Sequence, residues 1–454
     1  MKSNKTARWV VVGVLCTMAL VAAAVFLTPS IPTNVSIAPR PGPVFTDAAQ
    51  EAASQSAAAA NCLDGTLQLV RASARQRVSD CSKALQSGRL TASEVAVARI
   101  NRGVARLEMG DRSMADVDYR EALKHYDNVI DPAAPDALAL YRRGVALDAL
   151  GQTDRALSDY TAAIRLKPAE PSAYFERGIL LATRKRAYGR AIADFTRALE
   201  LEPQNIDALL FRGDAYGQMG DFGHAFADLN RAVELAPTSA RGYFYRGLAN
   251  SRRGENRLAL ADYNTALGID PGYGHVLVSR AAVYATDGRA DLALLDLDAA
   301  IAVQKNNPLA FYNRGFVHFA KGHYALAIDD YSIAIRLDPL MGLAYNNRCL
   351  ARGISGRDLV AALDDCDIAL KLMPTNPEVR ETLGFVYLKL GDPAIAIVEY
   401  NAALEHDPNR ALALYGRGTA RIKMGRQREG DADKAAALAL NPSVEREFSI
   451  YGLN

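Results

Sequence analysis

The stretch that decides the fold is RGVALDALGQTDRALSDYTAAIRLKP, residues 143–168. Gly144 is followed seven residues later by Gly151, and then by Ala156, Tyr160, Ala163 and Pro168. Two short helices joined by a glycine turn account for this order. Gly151 suits a left-handed helix cap, the alanines three or four residues either side of Tyr160 make one narrow helix face, and Pro168 stops the second helix. Small residues matching Gly144 recur at Gly103, Gly178, Gly213, Gly247, Ala281, Gly315, Cys349, Gly384 and Gly418. The steps are 34 or 35 residues throughout except the first, which is 41 because the second helix there is predicted to run on past His125 toward Pro132.

A period of this size is the mark of a stack of supersecondary units, each burying its neighbour's face. Length alone would suggest about three ordinary domains; the period replaces that with one linear array. Composition agrees, with 50% hydrophobic residues but only 7% aromatic, an excess of alanine, and a net charge of +2. Helices packed closely through small residues need few large side chains. The balanced charge excludes a generally basic nucleic-acid binder.

The pattern of small residue, alanine, aromatic, alanine and proline resembles the tetratricopeptide repeat, matched over residues 96–444 in ten consecutive units. Departures are slight: Lys305 stands for a proline, Gly430 for an alanine, and the units of Gly178 and Cys349 carry one extra residue. Residues 61–95 read as a degenerate first unit, because RVSDCSKAL aligns with second helices such as ALDDCDIAL, and residues 445–454 as a closing segment. The resemblance implies an all-α, right-handed superhelical solenoid of antiparallel helix pairs, and a protein-interaction role.

Two charged columns run with the repeat. Arg102, Arg143, Arg177, Arg212, Arg246, Arg280, Arg314, Arg348 and Arg417 precede the small residue. Asp118, Asp159, Asp194, Asp228, Asp262, Asp296, Asp330, Asp365 and Asp433 precede the second-helix aromatic or its substitute. The columns predict an Arg–Asp bridge inside each helix pair, since the planar guanidinium meets a carboxylate with two bonds; a charged stripe for a polyanionic ligand is the rival reading. In the unit of Gly384, Leu383 and Glu399 break the pattern.

Four cysteines follow the same register. Cys349 takes a small-residue position and Cys366 the facing aromatic position; Cys81 takes the aromatic position of the degenerate unit, with Cys62 on the helix before it. The expectation is two disulfides, Cys62–Cys81 and Cys349–Cys366, in an oxidising compartment. The N-terminus points the same way. Residues 1–8 carry Lys2, Lys5 and Arg8, and residues 9–27 are uncharged and long enough to span a bilayer. This segment reads as an uncleaved transmembrane anchor or a cleaved signal, with residues 28–60 as a Pro/Ala-rich linker. The expected place is the inner membrane with a periplasmic domain, or the periplasm after cleavage.

Six scattered histidines, no phosphate-cradling loop and no nucleophile elbow argue against an enzyme, a metal site or a cofactor. In a stack of such pairs the first helices line a concave groove. Positions three before and one after the small residue are expected to face it. They give Tyr141, Val145, Phe175, Ile179, Leu210, Phe244, Leu248, Tyr312, Phe316, Leu350, Phe385 and Tyr415. An apolar lining of this kind predicts a peptide segment of a partner protein as ligand. A polysaccharide stacked on Tyr141, Phe175, Phe244 and Tyr312 is the rival reading.

Overall fold

The computed structural model describes residues 57–63, 73–450 and Gly452. The predicted membrane segment 9–27 and most of the predicted linker 28–60 lie outside the described residues; its last four residues, 57–60, are helical. The described residues are all-helical: they form 23 α-helices, numbered α1 to α23, and no strand. No helix among them is long and apolar enough to cross a membrane. They divide into two compact units, one ending at Asp262 and one beginning at Tyr263. Each is a succession of antiparallel helix pairs.

The unit ending at Asp262 opens with α1 (Ala57–Leu63) and α2 (Ala74–Gln86), the degenerate pair. Pairs follow at α3 and α4 (Ala92–Glu108, Arg112–Val129), α5 and α6 (Ala137–Ala149, Thr153–Leu166), α7 and α8 (Pro171–Thr183, Tyr188–Leu201), and α9 and α10 (Ile206–Gln218, Phe222–Leu235). Next comes α11 (Ala240–Arg252), and the boundary falls inside α12 (Asn256–Ile269). The unit beginning at Tyr263 contains α13 and α14 (Gly274–Thr286, Ala290–Val303), α15 and α16 (Pro308–Ala320, Tyr324–Leu337), and α17 and α18 (Gly342–Ser355, Leu359–Leu372). It ends with α19 and α20 (Pro377–Leu390, Pro393–His406), α21 and α22 (Ala411–Lys423, Gln427–Leu440), and a last helix, α23 (Val444–Ile450).

The local chemistry explains these boundaries. Side-chain oxygens of Asp136, Asn205 and Asp221 accept from the third backbone N–H beyond them, and Thr91 with Glu94 forms a capping box. Between the helices of most pairs the chain turns at a glycine with φ between 66° and 83°, as at Gly151 and Gly391. In the two units with an inserted residue, a residue other than glycine takes positive φ: Arg186 at 50°, in a turn without glycine, and Asp358 at 53°, two residues after Gly356. Helix α4 is the longest of the second helices at 18 residues, which is where the 41-residue step lies.

The small-residue column is a steric requirement. A Cβ added at Gly144 would stand 2.7 Å from Tyr160 Cε1, and at Gly178 2.8 Å from Phe195 Cε1. Real Cβ atoms do not come that close, and Tyr160 and Phe195 are fully enclosed. Most pairs are therefore closed by a small residue on the first helix against a ring on the second, with Leu229 taking the ring's place opposite Gly213. Where the small residue is Cys349, the ring has become Cys366; their Cα atoms are 5.6 Å apart and the two sulfurs are bonded. Cys62 and Cys81 are likewise bonded, between α1 and α2, with Cα atoms 4.7 Å apart.

Candidate functional site: the inner faces of the first helices

The Arg–Asp columns set the frame of the site. All nine pairs form as two-pronged bridges; in the fourth, Arg212 Nε and Nη2 donate to the two Asp228 oxygens at 2.7 Å each. The outermost pairs match, with Arg102 on Asp118 and Arg417 on Asp433. The third nitrogen of each guanidinium reaches back to the preceding second helix. Arg177 Nη1 donates to Thr161 Oγ1 at 3.1 Å, Arg212 Nη1 to Thr196 Oγ1 at 3.1 Å, Arg280 Nη1 to Asn264 Oδ1 at 2.7 Å, and Arg348 Nη1 to Ser332 Oγ at 2.9 Å. One side chain thus ties a pair together and ties that pair to the one before. The bond to Asp is also the first cause that raises the Arg212 pKa, so the charge is fixed. With the guanidiniums spent in this way, the column is a structural staple and not a stripe for an anion. In the unit lacking it, Arg380 Nη1 donates to Glu399 Oε2 at 2.7 Å instead.

Successive first helices pack against one another in both units, as α9 does on α11 and α17 on α19, while successive second helices are held apart. Within each unit the first helices therefore lie on the inner side of the curve. Ten of the twelve expected groove residues are buried there: Tyr141, Val145, Phe175, Ile179, Leu210, Phe244, Leu248, Tyr312, Phe385 and Tyr415. Their area is taken by neighbouring helices. Phe175, for example, packs on Phe195 and Phe211 with ring centroids 5.9 Å away in both cases. Tyr312 packs on Tyr331 at 5.8 Å and accepts a hydrogen bond from Asn347 Nδ2. Tyr141, Phe175, Phe244 and Tyr312 are at most 4% exposed and leave no ring face open for a stacked sugar.

Phe316 and Leu350 are the two that remain half-buried. The accessible inner surface is completed by positions the sequence reading passed over, six before and four after the small residue. In the unit from Tyr263 these include the apolar Leu309, Leu343 and Leu412, with Phe319, beside the polar His275 and Glu378. In the other unit the same positions include Leu138 but also Asp148, Ser172, Asp207 and Arg241; Asp207 and Arg241 bridge each other at 2.5 Å. Burial raises the Asp148 pKa, with the Arg184 charge working against it. The signal for these positions was present as helical spacing about the small residue, since residues four apart share a helix face.

The last helix comes to this same inner side. Helix α23 rests mainly on α21 and to a lesser extent on α22. Phe448 packs on Tyr415 with centroids 5.1 Å apart and the rings tilted at 56°, and Tyr415 donates to Glu445 Oε1 at 3.2 Å. A cavity of about 40 Å³ remains beside Phe448, lined by Leu350, Glu381, Thr382, Phe385, Tyr400 and Leu412. Glu381 is held there against Arg410, whose Nε is 2.9 Å from Oε2; burial raises the carboxyl's pKa and the Arg410 charge opposes the rise. Gly416 leaves the room for this arrangement, because a Cβ there would lie 2.3 Å from Tyr400 Cζ. Among the described residues no cluster of His, Cys, Asp and Glu could hold a metal ion.

Comparison with known proteins places these features. A family model described as tetratricopeptide repeat matches residues 101–171, 141–206, 210–274 and 382–441, and a second of the same description matches 308–340. Together they cover more than half of the chain. No curated protein sequence matches it. Among solved structures, the chain is similar to one in the crystal structure of the APC/C hetero-tetramer Cut9–Hcn1, at 16% identity and a TM-score of 0.49, covering 85% of this chain and 93% of that one. A tetratricopeptide repeat protein from Parabacteroides merdae aligns at 19% identity and a TM-score of 0.45, over 57% of this chain and 99% of its own. YrrB, described as a TPR protein with an unusual peptide-binding site, aligns at 21% identity and a TM-score of 0.36, over 42% of this chain and 97% of its own.

Proposed function

We propose, from the premise that this chain belongs to the tetratricopeptide repeat family, that it is a non-catalytic scaffold of the cell envelope that holds partner proteins by a peptide segment on the inner faces of its first helices. The observation that carries this reading is the row of half-buried apolar side chains Leu309, Phe316, Phe319, Leu343 and Leu350 on α15 and α17. They lie on helices clamped by the Arg staples, so the surface is formed before a ligand arrives and little ordering entropy is lost on binding.

The envelope part of the reading rests on the two buried cysteine pairs and on the apolar run of residues 9–27 behind a basic N-terminus. The folded part would stand in an oxidising space, tethered to the membrane or released from it. Crosslinking in intact cells followed by mass spectrometry tests the whole. Recovery of envelope proteins, reduced by Phe316→Ala with Leu350→Ala, is the expected outcome. Recovery of glycan strands without protein would sink it.

A further inference from the structure

Of the two helices before it, a first helix in the stack rests more on the second helix than on the first; α23 instead rests more on α21, a first helix, than on α22. It packs on α21 and α22, and Phe448 borders a cavity that residues of three first helices line. Val444 and Phe448 are buried, Phe448 faces the cavity bounded by Leu350 on α17, Phe385 on α19 and Leu412 on α21, and Glu445 takes the Tyr415 hydroxyl. Beyond the helix, Gly452 comes against the Lys389 ammonium at the end of α19, close enough that a Cβ there would be 3.2 Å from Nζ. Glu445 and Phe448 are three apart and so share one helix face. That is the way an amphipathic peptide helix seats in a groove.

We propose that the inner-face site of the last three units is a docking site for a short helical segment of a partner, one carrying an aromatic residue three positions after an acidic one, and that Val444–Ile450 occupies this site in cis. This deepens the peptide-groove reading above and rests on it. The cavity left beside Phe448 fits the idea of a stand-in, because a partner's larger aromatic would fill space that phenylalanine leaves open. A tethered segment competes at an effective concentration on the order of millimolar, so a free peptide meets a site already filled.

The test uses the full chain and a fluorescent synthetic peptide of residues 441–454, followed by anisotropy. Against the wild-type chain the peptide should bind weakly. Against Phe448→Ala it should bind at least tenfold more tightly, and the same peptide carrying Phe448→Ala should lose that gain. Circular dichroism establishes that the variant chain is folded. Glu445 is exposed, so Glu445→Ala leaves packing intact and should give a smaller gain in the same direction. A folded Phe448→Ala chain and a Glu445→Ala chain that bind the peptide no better than wild type would overturn the proposal and leave α23 as a closing helix. If crosslinked proteins are still captured through Phe316 and Leu350 in that case, the scaffold reading stands while this inference falls; if neither occurs, both fall.

Discussion

Arg212→Ala removes three bonds at once, two to Asp228 and one to Thr196. The Asp228 side chain is 9% exposed and would be left as a buried carboxylate with no counter-charge. Breaking a buried pair from one side costs roughly 3–5 kcal/mol. The Arg212 side chain keeps 20% exposure, so water can reach part of the vacated space, and about 3 kcal/mol is the figure to expect. Arg212→Lys retains the charge but not the fork and should cost about 1–2 kcal/mol. Replacing both partners, Arg212→Leu with Asp228→Leu, removes the stranded charge and should return the stability to within about 1 kcal/mol of wild type. Urea unfolding followed by far-UV circular dichroism measures all three, since the only tryptophan is Trp9 and fluorescence would not report on the stack. A loss below about 1 kcal/mol for Arg212→Ala, or a double variant as unstable as the single one, would refute the staple argument.

Three further outcomes are expected. Gly144→Val should destabilise by roughly 1–3 kcal/mol in the same assay, because Tyr160 has no room to yield to a Cβ 2.7 Å away; an unchanged midpoint would mean the helices can separate freely. Burial lowers the His275 pKa, so its neutral form contributes stability above the unfolded value near 6.5 that is lost as pH falls through the folded pKa. Melting temperature should therefore drop on going from pH 7.5 to pH 5, and His275→Gln should drop less; an equal drop would assign the effect elsewhere. Alkylation without reductant should label none of Cys62, Cys81, Cys349 and Cys366, and reducing the Cys349–Cys366 bond, which closes a loop of about 17 residues, should cost about 3 kcal/mol. Full labelling would place the folded part in a reducing compartment.

The pair geometry was legible in the sequence because it rests on residue identity. Only glycine or another small residue fits against Tyr160 or Phe195, and only Arg makes the two-pronged bond to the aspartates, so both recur as columns. The backward bond of each Arg was not legible, since Thr161, Thr196, Asn264 and Ser332 serve it equally well and form no column of one type. The groove residues were misjudged for a geometric reason. Positions three before and one after the small residue point inward but also meet the next first helix, so Leu210 and Tyr312 are enclosed while Leu343 and Phe319, at flanking positions, keep exposed area. The reach of α23 onto α21 and toward α19 had no repeat to announce it; only contact with Tyr415 and the residues lining the cavity reveals it.

The most direct test of the account places a photo-crosslinking amino acid at Leu350 on the inner side of α17, and separately at Val360, 69% exposed on the second helix α18, in the full chain in intact cells. Partner proteins should be joined at Leu350, with few or none at Val360. Partners joined at Val360 with none at Leu350 would contradict it.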